Sequence, residues 1–169
     1  MRELRIYKIV RDTAVDGVGW RTTIYCSGCS HECPGCHNPA TWDINAGSTM
    51  TIDEILEFLN KDENNVTFSG GDPMYQPEAF AKLAKRIVTE QHKTIWCYTG
   101  FTYEQVAANR SMRKMLPWLE VLVDGQFIEA CRDTNLLFRG SSNQRLIDVQ
   151  SSLTEGKAVE WKFNPFPNF

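Results

Sequence analysis

No run of apolar residues in this 169-residue sequence approaches the roughly 20 needed to cross a bilayer. The opening stretch MRELRIYKIVRD lacks the apolar segment of a secretory leader. Neither sign of charge dominates: 18 Lys and Arg stand against 21 Asp and Glu, a net charge of −3. That balance gives no basic footprint for nucleic acid. Histidine is scarce, at three residues, and no Ser, His and Asp arrangement suggests hydrolysis. Internal repeats, low-complexity tracts and obvious linkers are also missing. What remains is the expectation of a cytoplasmic protein, with no membrane and no nucleic-acid partner, long enough to bury one core.

Against these absences stands CSGCSHECPGCHNP, residues 26 to 39, which holds four of the six cysteines. In a reducing cytoplasm so dense a cluster points to metal binding or catalysis rather than disulfides. Four thiolates at Cys26, Cys29, Cys33 and Cys36 would suit zinc, but zinc ribbons separate their two CxxC pairs by roughly 15–20 residues. Here only three residues intervene. Cys29, Cys33 and Cys36 alone form C-x3-C-x2-C, and three thiolates can hold a [4Fe–4S] cluster with one iron left open. An ordinary electron-transfer cluster uses four, so Cys26 as a fourth ligand would make an electron carrier. Its place at the end of the apolar run TTIYC suits a buried strand cysteine better.

The rest of the chain alternates. Thr51 and Glu54 fit a capping box, followed by Ile52, Ile55, Leu56 and Leu59 on one helical face. The run VTF (66–68) reads as a strand ending in SGGDP. Pro77 then opens a helix with Phe80, Leu83, Ala84, Ile87 and Val88 on its apolar side. TIWCYTG (94–100) predicts a second strand. Thr102 and Gln105 cap a third helix expected to reach Met115, and LEVLVDGQF (119–127) predicts a further strand. Val66, Ile95 and Val121 lie 29 and 26 residues apart, the length of one strand–helix unit. The expected class is therefore α/β, with a parallel sheet. A full eight-unit barrel usually needs about 250 residues. A partial, open β/α barrel of about five to six units fits this length. Each strand ends in small or polar residues, at the sheet edge where such proteins build their sites.

In order and position these pieces resemble the radical S-adenosylmethionine (SAM) superfamily. DGVGWRTTIYCSGC (16–29) is similar to the D-G-P-G-x-R signature of its glycyl-radical-enzyme activators, and SGGDP (69–73) to their GGE motif. CPGC, TWDINAG, WCYTG, VLVDGQF and LLFRGSSNQRLIDV (136–149) resemble the activators of anaerobic ribonucleotide reductase within that family. The likeness spans about residues 5 to 150.

The resemblance implies a radical-SAM partial barrel over residues 1–152, with residues 153–169 as a tail of unassigned role. It implies a [4Fe–4S] cluster on Cys29, Cys33 and Cys36, with SAM on the open iron. SAM would be met by Gly35, Cys36, His37, Gly70, Gly71, Asp72, Thr99 and Asp124. The partner would be the large subunit of anaerobic ribonucleoside-triphosphate reductase, and the electron source a flavodoxin or a thioredoxin-type system. Arg139, Ser141 and Asn143, in the distinctive RGSSNQR stretch, are the expected partner contacts. A helix entry at Ser141 or Ser142 is the plainer reading of that stretch. His31, inside the first cysteine spacer, is expected only to solvate its loop. Two other readings stay open: an activator of a different glycyl-radical enzyme, and a non-catalytic four-cysteine electron carrier or zinc module.

Overall fold

A computed structural model describes residues 3–163. Seven strands form one mixed sheet in the order β3-β1-β2-β4-β5-β6-β7. They are β1 (Glu3–Thr13), β2 (Arg21–Cys26), β3 (Ser48–Thr51), β4 (Asn65–Gly70), β5 (Ile95–Tyr98), β6 (Val121–Asp124) and β7 (Arg145–Asp148). The helices are α1 (Ile52–Leu59), α2 (Pro77–Gln91), α3 (Tyr103–Ala108) and α4 (Val149–Glu155). Strands β2, β4, β5 and β6 run parallel, while β1, β3 and β7 pair antiparallel at the flanks. The α/β class is thus as expected. The parallel part has four strands joined through α1, α2 and α3, fewer than five to six units. Residues 27–47 and 125–144 account for the shortfall, because they are spent on long connections rather than on helices.

Alternation along the central strands divides the molecule into two faces. Val66, Phe68, Ile95, Cys97 and Leu122 point into one cluster with Ile55 and Leu59 of α1 and with Phe80, Leu83 and Ile87 of α2. Phe68 and Phe80 meet edge to face at 4.8 Å. Trp96, Val121 and Val123 point the other way, against Tyr98, Phe138, Leu146 and Trp161. Among the described residues no helix packs on this second face; Phe138 of a loop and Trp161 beyond α4 cover it.

Both predicted capping boxes are present: Thr51 with Glu54 opens α1, and Thr102 with Gln105 opens α3. Helix α3 stops at Ala108, well short of Met115. Asn109 turns extended and its Oδ1 accepts from the Ser111 and Met112 N–H groups, so the chain continues as short 3-10 turns. RGSSNQR is not a helix entry. It forms a turn into β7, and the helix after it is capped by Asp148, whose Oδ1 accepts from Ser151 N–H at 3.0 Å. Beyond α4 the chain returns along β7: Asp148 N–H donates to Val159 O and Trp161 N–H to Leu146 O. Trp161 stacks edge-on against Trp96 at 5.1 Å. The tail therefore docks on the sheet as far as Trp161, and its last six residues lie outside the described range.

Candidate functional site

Parallel pairing puts Cys26 of β2 level with Gly70 of β4, and Tyr98 of β5 level with Val123 of β6. The C-terminal ends of these strands therefore form one edge. The cysteine loop, residues 27–47, folds over that edge because three backbone bonds hold it. Gly71 N–H donates to Cys26 O at 2.8 Å, Asp72 N–H to Gly28 O at 2.9 Å, and Gly28 N–H to Thr41 O at 2.8 Å. A side chain at Gly70 would strike the Cys26 backbone, and one at Gly71 would lie 2.5 Å from Gly28 O. Glycine is required at both positions so that the loop can approach the strand end. This is a reason for the pair that the local sequence did not disclose.

Between loop and sheet edge lies an open cleft of about 560 Å³. Cys29, Cys33, Cys36 and His37 line it from the loop; Gly70, Gly71, Asp72 and Thr99 line it from the strand ends, and Arg139 from the far side. Gly35, Asp124, Ser141 and Asn143 do not line it. All six cysteines are free thiols. Burial pushes the Cys29 thiol up to about 11, against backbone N–H groups of His31 and Glu32 that favour its thiolate. Cys33 is raised for the same first reason, and Phe127 N–H opposes the rise. Asn38 N–H points at the Cys36 sulfur from 3.4 Å. Such N–H groups stabilise sulfur carrying negative charge, as metal-bound thiolates do.

Among the described residues no three His, Cys, Asp or Glu side chains converge on a single-ion site. The three loop thiols instead share the wall of one cleft, and as a donor set of soft thiolates with N–H support they suit an iron–sulfur group. Cys26 is fully buried among the helix-side core residues, where desolvation raises its thiol well above the ordinary value. It does not line the cleft.

Asp72, 1% exposed, is a hub. Its Oδ1 accepts from Met74 N–H at 2.9 Å; its Oδ2 takes Thr99 Oγ1–H, Gly100 N–H and His31 Nε2, each at 2.9 Å. The carboxylate is thus occupied by the protein, and its work is to join β4, β5 and the cysteine loop. His31, expected to solvate the loop, is almost fully buried and bridges Asp72 to Gln126. The partner of such a residue lies far along the chain, so no local signal marks it.

Asp124 is also 1% exposed, but it sits one residue past Val123 and so faces the helix side. Arg145 grips both of its oxygens, at 2.6 and 3.1 Å, and Tyr103 N–H at the start of α3 donates to it at 2.7 Å. Gly35, with φ of 77°, makes the CPGC turn and faces Arg132, whose Nη2 donates to its carbonyl at 3.3 Å. Ser141 is buried and its Oγ accepts from Ile128 N–H; Asn143 donates to Gln126 O at 2.7 Å. Gln144 completes the turn, accepting from Gly140 and Ser141 N–H and donating to Gly125 O. The RGSSNQR stretch therefore braces the connection 125–144 that borders the cleft.

Residues 15–147 match a family model described as a 4Fe-4S single cluster domain. The anaerobic ribonucleoside-triphosphate reductase-activating protein of Escherichia coli (strain K12) is 39% identical over 139 residues, spanning 77% of this chain and 89% of that protein. The chain belongs to this activating-protein family. Members from Haemophilus influenzae (strain ATCC 51907 / DSM 11121 / KW20 / Rd) and Enterobacteria phage T4 are 36% and 34% identical, over 77% and 78% of this chain and 88% and 86% of their own. Among solved structures, QueE from Escherichia coli superposes with a TM-score of 0.51 over 59% of this chain and 53% of that one. At 14% identity this likeness concerns the fold alone. No helix among the described residues is long and apolar enough to cross a membrane.

Proposed function

We propose that this protein activates an anaerobic ribonucleoside-triphosphate reductase. The observation that carries the reading is the open cleft at the parallel-strand ends, faced by three N–H-supported thiols on one side and by Gly70, Gly71 and Thr99 on the other. Cys29, Cys33 and Cys36 would hold a [4Fe–4S] cluster. With SAM bound, the cluster would supply the single electron for reductive cleavage of the sulfonium S–C5' bond, chemistry that would give methionine and a 5'-deoxyadenosyl radical able to take a hydrogen atom from a glycine of the reductase.

The chain's own residues supply position and enclosure. Gly70 and Gly71 bring backbone to the cleft without side chains in the way. Asp72 acts through its backbone, its carboxylate being committed to Thr99, Gly100 and His31. His37 stands at the cleft against Phe127, where a nucleoside base would find an aromatic edge. Arg139 offers the cleft a guanidinium whose Nη1 donates to Gln144 O and whose buried Nε has no partner among the described residues. The sheet is read as an open, radical-SAM-type barrel whose uncovered side admits a reductase loop, with the chemistry within residues 1–152. A flavodoxin or a thioredoxin-type system in the cytoplasm supplies the electron.

The test is formation of 5'-deoxyadenosine from SAM by the anaerobically reconstituted full chain with dithionite, followed by the glycyl-radical signal on added reductase. Both are expected. An iron-loaded protein that yields neither, with the reductase present, sinks the reading.

A further inference from the structure

The spacer Ser30-His31-Glu32 between the first two cleft cysteines has an unusual backbone. Glu32 is left-handed, with φ of 48°, although it is not glycine. A non-glycine residue there is strained, and such strain persists only where surrounding contacts over-determine the conformation. The spacer's own side chains show what holds it. Ser30 and Glu32 are exposed, and Ser30 makes one surface bond, Oγ to Tyr75 OH at 2.6 Å. His31, by contrast, is sunk into a fitted socket.

Both of its ring nitrogens are partnered. Nε2 lies 2.9 Å from Asp72 Oδ2, and Nδ1 lies 3.0 Å from Gln126 Nε2. A tautomer with its proton on Nε2 donates to the carboxylate and accepts from the amide, satisfying both. Phe101 meets the ring edge to face at 4.6 Å, and Tyr75 does so at 5.6 Å. The floor is Gly100: a Cβ there would lie 2.6 Å from His31 Cδ2. Gly100 has no positive φ in need of glycine. Its missing side chain is room for the imidazole. Residues at the ends of β4, β5 and β6 thus converge on one ring of the cysteine loop.

We propose that His31 is a positioning residue that holds Cys29 and Cys33 in their ligand-ready arrangement before iron arrives. The inference deepens the proposed function and rests on it in treating those two cysteines as cluster ligands. The imidazole borders the cleft, and its action on Cys29 and Cys33 runs through the loop backbone.

The test needs no SAM and no reductase. Iron-free full-length protein, as wild type, His31→Ala, His31→Gln and Gly100→Ala, is treated with a thiol-alkylating reagent, and each cysteine is followed by mass spectrometry. Losing a buried hydrogen bond to a charged group predicts that Cys29 and Cys33 react about tenfold faster in His31→Ala. The core thiols Cys26 and Cys97 should stay protected and so report that the fold is intact. Gly100→Ala, which evicts the ring, should reproduce His31→Ala. His31→Gln, which keeps an N–H within reach of Asp72, should restore most of the protection. After reconstitution, a chelator should strip iron faster from the two disrupted variants and at nearly the wild-type rate from His31→Gln.

Equal alkylation of Cys29 and Cys33 in wild type and His31→Ala overturns the proposal. So does a His31→Gln variant no better than His31→Ala, because the hydrogen bond would then be irrelevant. If His31→Ala also exposes Cys26 and Cys97, Gly100→Ala is judged on the same two outcomes. A wild type that fails to cleave SAM would sink the functional reading while leaving the alkylation result standing.

Discussion

The two faces of the central sheet are built by different means. The helix face is mainly apolar, apart from buried groups such as Asp124: residues from β4, β5 and β6 alternate into it, and α1 and α2 close over them. The cleft face mixes Trp96, Tyr98 and Val123 with buried polar groups and is covered by loops. Arg21, 1% exposed, shows what that costs. Desolvation lowers its guanidinium to about 10, and Glu120, Tyr98 and Asp16 only partly oppose this. Its hydrogens go instead to Thr67 Oγ1 and to the Val18 and Val66 carbonyls, so the DGVGWR stretch is pinned to β4. The helix face can be maintained by any residues of suitable size and polarity. The cleft face depends on specific hydrogen bonds, and each buried polar group left without a partner is penalised.

The sharpest way to break this comparison uses two cysteines close in sequence but on opposite sides of it. Cys36→Ala should abolish both iron retention and 5'-deoxyadenosine formation, whereas Cys26→Ala should keep both. An inactive, iron-poor Cys26→Ala protein that remains folded would return the four-cysteine reading to favour. Next in size, Phe80→Ala in the helix face should cost about 3–5 kcal/mol of stability in urea denaturation, the range for a buried aromatic truncation. Asp124→Asn tests the assignment of that carboxylate to the helix side. It should cost about 1–3 kcal/mol through the weakened bonds to Arg145 and Tyr103, while the KM for SAM stays at its wild-type value. A raised KM in a fully folded protein would return Asp124 to the cleft. The smallest effect is expected at Thr51→Ala, which removes half of the α1 capping box. Thermal or urea unfolding should register about 1 kcal/mol, with no change in SAM cleavage.

How much could be read in advance follows the same division. Helices α1 and α3 announced their starts through local signals, Thr51-x-x-Glu54 and Thr102-x-x-Gln105, and the apolar faces of α1 and α2 were visible as periodicity. Strands β4, β5 and β6 stood out as short apolar runs. Strand β1 carries no clear signal because its half-exposed pattern includes several charged residues, and β3 and β7 carry none because polar residues interrupt their four-residue runs, unlike the equally short β5 and β6. Within the site, the three loop cysteines, His37, Gly70, Gly71, Asp72, Thr99 and Arg139 do share one cleft. Asp124 does not line the cleft, because a single step of strand alternation turns its side chain to the opposite face. Ser141 belongs to the interior, where its hydroxyl holds the Ile128 N–H. His31 and Gly100 are intelligible only together, as ring and socket.

The contacts of the cysteine loop also fix an order of events in folding. His31 meets Asp72 across 41 residues of sequence and Gln126 across 95, and Asp72 reaches Gly100 across 28. Contacts of such separation form slowly, because the intervening chain must first be brought into place. Helices α1 and α2 can nucleate on their own capping and periodicity, but the loop has no comparable local nucleus. Its final shape waits for β2, β4, β5 and β6 to assemble, which makes iron insertion a late event in the maturation of this protein.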